Sequence, residues 1–152
     1  MNIKHILVPV DFSDSGNAAV AYAISLAKEY EAEVHLVHVY EPAYASIDAG
    51  FTGHPIPTAV STADLKKAEA RLAAVVPAQQ DKYRRICIVG DPSDELVNYA
   101  KDNEIDLIVM GTHGRTGITR LLMGSVAEAT VRRSPCPVLT IKQPAETLQE
   151  TT

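Results

Sequence analysis

Several features that would assign a protein class are scarce or missing from this sequence of 152 residues. Two cysteines, Cys87 and Cys136, are too few for a disulfide framework and favour a cytoplasmic protein with reduced thiols. Fourteen basic against nineteen acidic residues leave a formal net charge of −5, which argues against general binding to nucleic acid or anionic membranes. No apolar run approaches the roughly 18 residues of a membrane span, and the apolar part of the N-terminus is too short for a signal peptide.

Two familiar phosphate-binding sequences are also missing. The sequence has no G-x-G-x-x-G, and its glycine-rich stretch does not end in the lysine and serine or threonine of a Walker loop. It shows no internal repeat and no linker-like composition that would divide the chain. At this length we expect one domain that buries about 70% of its unfolded surface.

Short apolar runs alternate with segments of helical periodicity, which predicts an α/β fold with a parallel sheet and right-handed crossovers. Ser13 or Asp14 is available to cap the first helix, and Asp91 followed by Pro92 marks the start of the third. The predicted strands cover residues 5–10, 33–40, 85–90, 107–110 and 138–141; the predicted helices run to residue 30, over 62–76, to 103 and over 125–133.

Two segments show no such pattern. Residues 41–61 are rich in Pro, Gly, Ala, Ser and Thr and are long for a loop, so we interpret them as a functional flap or a mobile segment. His54 in this loop has no obvious partner and is expected to face solvent. Residues 1–143 form the predicted domain, and residues 144–152 form a polar tail that we expect to be flexible.

The most informative stretch covers residues 106–128. A buried strand over 107–110 is followed by three glycines in seven residues, Gly111, Gly114 and Gly117, and then by Gly124-Ser125 at the start of a helix. Free backbone amides and the positive end of a helix would meet there, which is the arrangement that binds phosphate. Glycine clusters after strands are also common as plain turns, and the pattern alone does not decide between these alternatives.

Ser125 has a structural interpretation as well. Ser125-Val-Ala-Glu128 fits the pattern of a capping box, in which the serine and glutamate side chains satisfy the first helix amides without any ligand. The two roles are compatible if the hydroxyl turns towards a bound phosphate.

The histidines of the second predicted strand, His35 and His38, could suggest a metal site. Because they are three residues apart on a strand, their side chains point to opposite faces. We therefore predict that they do not share a metal ion.

Taken together, the motifs resemble the nucleotide-binding branch of the universal stress protein family. Its signature of G-x-x-G, nine residues and G-[S/T] is matched by Gly111, Gly114, Gly124 and Ser125. The resemblance extends to residues 6–13, 106–114, 124–128 and 134–138, and leaves out only the long loop and the tail.

The resemblance implies a Rossmann-like fold of the adenine nucleotide alpha hydrolase type, with helices on both faces of a five-stranded sheet of order 3-2-1-4-5. Ligands of such sheets bind where the strand order reverses, here beyond strands 1 and 4. The implied ligand is ATP with magnesium, with Asp11 near the ribose or a magnesium-bound water and the backbone of Val39 at the adenine. The full implied binding set is Pro9, Val10, Asp11, Val39, Met110, Gly111, His113, Gly114, Arg115, Gly124, Ser125 and Val126. The alternative for Asp11, which we favour less than the ligand role, is a turn residue at the start of the first helix.

Three functions remain open from the sequence. The first is an ATP-binding stress-response or signalling protein with no catalytic residue and at most slow hydrolysis, forming a homodimer through its last strand. The second is an active ATPase or phosphotransferase, in which His113 donates to phosphate or is itself phosphorylated, while Arg115 and Arg120 neutralise phosphate charge. The third is an interaction protein whose glycines only form turns.

Overall fold

The computed structural model describes residues 2–45, 56–76, 82–113 and 123–142. Within these ranges, strands and helices follow one another as the sequence pattern predicts. Their order is β1 (His5–Pro9), α1 (Asp14–Tyr30), β2 (Glu33–Tyr40), β3 (Tyr44–Ala45), β4 (Ile56–Pro57), α2 (Thr62–Ala73), β5 (Tyr83–Val89), α3 (Pro92–Asp102), β6 (Leu107–Gly111), α4 (Ser125–Arg133) and β7 (Val138–Ile141).

Five of the strands form one parallel sheet in the order β5-β2-β1-β6-β7. Numbered along the chain within this sheet, the order is 3-2-1-4-5, so the prediction drawn from the family resemblance is confirmed. The chain reverses its direction of winding between β1 and β6, and the carboxyl ends of these two strands therefore border a crevice.

Each face of the sheet carries its own hydrophobic core, because successive side chains of a strand point to opposite sides. Val8 and Leu36 face α1 and α2, in a core completed by Ala23 and Leu72. Leu7 of the same strand faces the other way, in a core with Leu96 of α3 and Ala127 of α4. Helices therefore cover both faces, as predicted.

The predicted caps of the first and third helices are confirmed. The Ser13 hydroxyl accepts a hydrogen bond from the amide of Gly16 at 3.1 Å, and Asp91 accepts one from the amide of Asp94 at 3.1 Å. Both satisfy an amide that has no partner within the helix.

The predicted capping box of α4 is wrong. Gly124, with φ −60° and ψ 154°, is the N-cap, and Ser125 is the first helical residue, so its hydroxyl is one position too far along to cap. No side chain of the described residues caps this helix. Glu128 pairs with Arg132 at 3.3 Å on the exposed surface and does not reach back to the helix start.

Smaller differences concern the ends of elements. β5 begins two residues earlier than predicted because Tyr83 and Arg84 pair with β2, and α2 ends at Ala73. Within the segment predicted as a loop, β3 and β4 pair as a short antiparallel ladder. Residues 46–55 and 143–152, which include His54 and the predicted tail, lie outside the described residues. Cys87 and Cys136 are free thiols, and no described helix combines the length and apolar character needed to cross a membrane.

Candidate functional site

A cavity of about 760 Å³ opens at the carboxyl ends of β1, β2 and β6. The start of α4 and one side of α2 complete its wall. All the predicted binding residues that the structure describes line it: Pro9, Val10, Asp11, Val39, Met110, Gly111, His113, Gly124, Ser125 and Val126. Gly114 and Arg115, with the possible phosphate partner Arg120, lie outside the described residues.

The end of β1 makes a tight turn into α1. The Asp11 carboxylate accepts hydrogen bonds from the amide of Ser13 at 3.0 Å and from its hydroxyl at 2.5 Å. Phe12 between them has φ 64°, in the left-handed region that few residues other than glycine adopt. Asp11 is therefore a turn residue that also lines the cavity, and both roles considered from the sequence are compatible with this geometry.

The end of β2 supplies the next part of the wall. The buried His38 forms a hydrogen bond through Nδ1 with the carbonyl oxygen of Val10 at 2.7 Å, and its ring lies 4.8 Å from that of Phe12. Val39 follows, half-buried. His38 thus joins β2 to the turn after β1, whereas His35 forms its hydrogen bond with Tyr99 of α3. The prediction that the two histidines face opposite sides of the sheet is confirmed.

The end of β6 lies against both α1 and α4. Gly124 donates its amide to the carbonyl oxygen of Thr112 at 2.7 Å. This hydrogen bond holds the start of α4 beside the end of β6. Ser15 of α1 donates its hydroxyl to the carbonyl oxygen of His113 at 2.6 Å. Two helix starts and the end of β6 therefore share one wall.

Gly111 allows this close approach. A Cβ built on it would lie 2.0 Å from Oγ of Ser15 and 2.8 Å from its carbonyl carbon, so any larger residue would push α1 away. The sequence suggested that this glycine frees backbone amides for a ligand, and the structure adds a packing role.

The side chain of His113 is oriented by its neighbour. Its Nδ1 lies 2.8 Å from the hydroxyl of Thr112, and its Nε2 has no hydrogen-bond partner among the described residues. Nε2 is buried in this arrangement, so the ring would have to turn to present it to a ligand in the cavity.

The start of α4 is suited to an anion. The first amides of a helix lack partners within it and carry its partial positive charge. Because no described side chain caps α4, these amides are available beside Ser125 and Val126 in the cavity wall. Such a helix start typically binds a phosphate or sulfate group.

Two cations of α2 also line the cavity, and sequence reasoning missed them. Lys67 and Arg71 are exposed, yet both line the cavity, and the guanidinium of Arg71 stacks 4.0 Å above the ring of Phe12. The only sequence signal for this shared position is that the two residues are four apart on one helix, on either side of Ala68, and so lie on the same side of α2.

The carboxylates Asp11, Glu41 and Asp64 line the same cavity. By contrast, the wall formed by the end of β6 and the start of α4 carries none. Charge is therefore divided within the site: one wall is formed by an uncapped helix start, and the others carry the three carboxylates together with Lys67 and Arg71 of α2.

Comparison with known proteins agrees with this architecture. Residues 2–142 match the model of the universal stress protein family. Universal stress protein MJ0531 of Methanocaldococcus jannaschii is 35% identical over 147 residues, which cover 93% of this chain and 83% of that protein. Universal stress protein MJ0577 of the same organism is 30% identical over 154 residues, covering 92% of this chain and 95% of the relative. The chain belongs to the universal stress protein family.

Solved structures of other universal stress proteins share the fold. The structure of MJ0577 has a TM-score of 0.73 to this universal stress protein at 26% identity, covering 95% of this chain and 99% of the other. A universal stress protein solved in complex with cAMP has a TM-score of 0.61 at 28% identity, covering 93% and 98%. The five-stranded order and the helices on both faces are thus those of the family.

Proposed function

We propose that this universal stress protein binds ATP with magnesium in the cavity and acts as a nucleotide-dependent module in stress response or signalling. One observation carries the proposal. Among the described residues, the start of α4 is the only helix start in the cavity wall without a side-chain cap. It lies where the strand order reverses. A helix with free first amides at this point of an open α/β sheet is the arrangement that binds nucleotide phosphates.

The size and composition of the cavity agree with a nucleotide. A volume of about 760 Å³ falls within the roughly 300–1,000 Å³ of small-molecule pockets. Apolar side chains, including Val10, Val39, Leu96 and Met110, provide surface for a base and a ribose. The relative solved with cAMP shows that an adenine nucleotide binds to this fold in a protein 28% identical.

The proposed orientation follows from the charges. The phosphates lie at the start of α4, near Ser125, Val126 and His113, and the adenine lies at the end of β2. In the proposal, Asp11 holds a magnesium ion through water, since magnesium prefers carboxylate, phosphate and water oxygens. Gly114 and Arg115 complete the phosphate side in the proposal, on the strength of the family signature.

We place the protein among nucleotide binders with at most slow hydrolysis. Fast phosphoryl transfer needs a group that orients the attacking water or hydroxyl in addition to charge stabilisation. The described residues of the phosphate wall carry no carboxylate, and His113 is their one titratable side chain. Binding and release of nucleotide can signal without rapid turnover.

The proposed module is a homodimer. β7 lies at the edge of the sheet, where unpaired backbone groups invite another strand. Leu139 on β7 and Val131 on the adjacent α4 are 38% and 45% exposed, a large fraction for apolar side chains. Pairing of β7 with its own copy across a two-fold axis would cover both.

Native mass spectrometry of the gently purified protein tests the proposed ligand. We expect an added mass that corresponds to one ATP per chain, and stronger retention of ATP than of ADP, AMP or cAMP when all four are supplied equally with magnesium. Retention of none of the four at millimolar concentration would contradict the proposal.

A further inference from the structure

Three side chains that no nucleotide would contact meet at the amino-terminal edge of the sheet. His5 begins β1 and pairs with Glu33, the first residue of β2, and His35 follows two residues later on the same face. One possible ligand atom from each of His5, Glu33 and His35 lies within 4.8 Å of the other two. The cavity lies at the opposite ends of the same strands, so this cluster is a separate site.

Two nitrogen atoms of the cluster are buried without a hydrogen bond. Among the described residues, neither Nδ1 of His5 nor Nε2 of His35 has a partner. Oε2 of Glu33 lies 3.7 Å from Nδ1 of His5 and 3.8 Å from Nε2 of His35, which is too long for a hydrogen bond. The His35 side chain is only 2% exposed, so water does not readily satisfy it. Buried polar atoms normally find partners, and exceptions call for an explanation.

Neighbouring residues hold these groups in place from outside. Nδ1 of His35 lies 2.9 Å from the Tyr99 hydroxyl of α3. The guanidinium of Arg84 pairs with Oε1 of Glu33, which turns Oε2 towards the two imidazoles. A metal-bound histidine is usually fixed in this way, through a hydrogen bond from its other ring nitrogen.

We propose that His5, Glu33 and His35 form a binding site for a zinc ion. Two imidazole nitrogens and one carboxylate oxygen are a recurring ligand set for zinc, with water as the fourth ligand. Bonds of about 2.0–2.2 Å in a tetrahedron place ligand atoms roughly 3.4 Å apart, so the three side chains need to close by only small rotations. Binding at Nε2 selects the tautomer of His35 whose Nδ1–H donates to the Tyr99 oxygen.

The surroundings allow an ion to enter. The side chains of His5 and Glu33 are 32% and 25% exposed, which leaves room for the water ligand and a path from solvent. Arg84 is a nearby cation, but it is 59% exposed and occupies the other carboxylate oxygen, so solvent screens its repulsion. The ion would join the starts of β1 and β2 and, through Tyr99, fix α3 against them.

The test uses the full-length protein after removal of metal with a chelator. Cobalt(II) serves as the spectroscopic probe, because it substitutes for zinc and absorbs visible light when it is coordinated tetrahedrally. We expect one equivalent to bind, with displacement by zinc, and a zinc-dependent rise in melting temperature.

Three histidine variants locate the binding. His5→Gln and His35→Gln should each weaken zinc binding at least about 100-fold, whereas His54→Gln, a histidine remote in sequence, should bind as the wild type does. Because the His5 side chain is 32% exposed and that of His35 only 2%, the His5 variant keeps the test decisive should His35→Gln fail to fold. Tyr99→Phe, which removes only the oxygen beside His35, should weaken binding by about 10–100-fold.

Three results would overturn the proposal. They are the absence of stoichiometric binding to the wild type, unchanged affinity in folded His5→Gln, and an equal loss in His54→Gln, which would reveal adventitious binding to surface histidines. None of these results depends on whether the cavity binds a nucleotide.

Discussion

Ser15, at the start of α1, donates its hydroxyl to the carbonyl oxygen of His113, just past the end of β6, across 2.6 Å. These residues are far apart in sequence, and their hydrogen bond joins the two loops that border the cavity. It forms because Gly111 lets the backbone of α1 lie against β6. The absence of a side chain at Gly111 therefore allows the loops after β1 and β6 to lie close together.

Gly111→Ala should lower the free energy of unfolding by about 1–3 kcal/mol, the usual cost of overpacking. The added methyl would overlap Ser15, including its backbone carbonyl carbon at 2.8 Å. Urea denaturation measures the effect. Since the overlap includes backbone atoms, adding Ser15→Ala should not restore stability. A single variant as stable as the wild type would show that α1 can move away without cost.

Asp106 should stabilise the fold from the end of the sheet opposite the cavity. One of its carboxylate oxygens accepts the amides of Lys4 and His5 at 2.8 Å and 2.9 Å. Asp106→Ala leaves both donors without this acceptor and should cost about 1–3 kcal/mol. Asp102→Ala, at the exposed end of α3, is the matched control and should change stability by less than about 0.5 kcal/mol. If Asp106→Ala and Asp102→Ala lowered the free energy of unfolding equally in urea denaturation, Asp106 would not have this stabilising role.

The same carboxylate should make stability depend on pH. Burial tends to raise the pKa of Asp106, but the two backbone hydrogen bonds outweigh it and lower the pKa below its ordinary value. A lowered pKa in the folded state means that the contribution is complete above the unfolded value of about 3.9 and is lost as the pH falls through the folded value. The stability difference between wild type and Asp106→Asn should therefore stay constant from pH 7 to about 4 and shrink as the pH falls further, through the folded value. A stability difference that stays constant down to pH 2 would contradict the prediction.

Much of this architecture was predictable because its signals are local. Apolar runs and helical periodicity located every strand of the main sheet, and Ser13 and Asp91 marked two helix starts through contacts within three residues. The capping box of α4 failed by one position. A serine followed by glutamate fits a box only if the serine is the N-cap, and here Gly124 takes that place.

Features that depend on strand pairing were not predictable from the residues. The strand order came from the family resemblance, because pairing joins segments that are remote in sequence. The cluster of His5, Glu33 and His35 appears only once the register sets His5 beside Glu33. The approach of Arg71 to Phe12 likewise depends on how α2 packs on the sheet.

The dimer proposal predicts a specific effect at Thr140. Pro137 and Ile141 direct their carbonyl groups to β6, so the amide of Thr140, which alternates with them, faces the open edge. Thr140→Pro should therefore remove an outward donor and shift the sedimenting species from dimer towards monomer. Thr140→Val keeps the amide and should remain dimeric. A wild type that sediments as a monomer at high concentration would contradict the proposal.

Slow turnover should distinguish a binder from an enzyme. With His113 as the one titratable side chain of the described phosphate wall, we expect ATP hydrolysis far below the typical ~10 s⁻¹ of enzymes, on the order of events per hour. Single-turnover assays with radiolabelled ATP measure it. Rapid hydrolysis that disappears in His113→Ala would place the protein among ATPases or phosphotransferases.

The most direct test of nucleotide binding places a negative charge at the start of α4. Ser125 is exposed at the first position of this helix, where a carboxylate favours the helix by about 0.3–1 kcal/mol. Ser125→Glu should therefore preserve the fold while repelling phosphate, and Ser125→Gln is the neutral control of the same size. Calorimetric titration with ATP and magnesium should show one site in the wild type, near-normal affinity in Ser125→Gln and at least about tenfold weaker binding in Ser125→Glu. Equal affinity in all three folded proteins, or no binding to the wild type, would contradict the account.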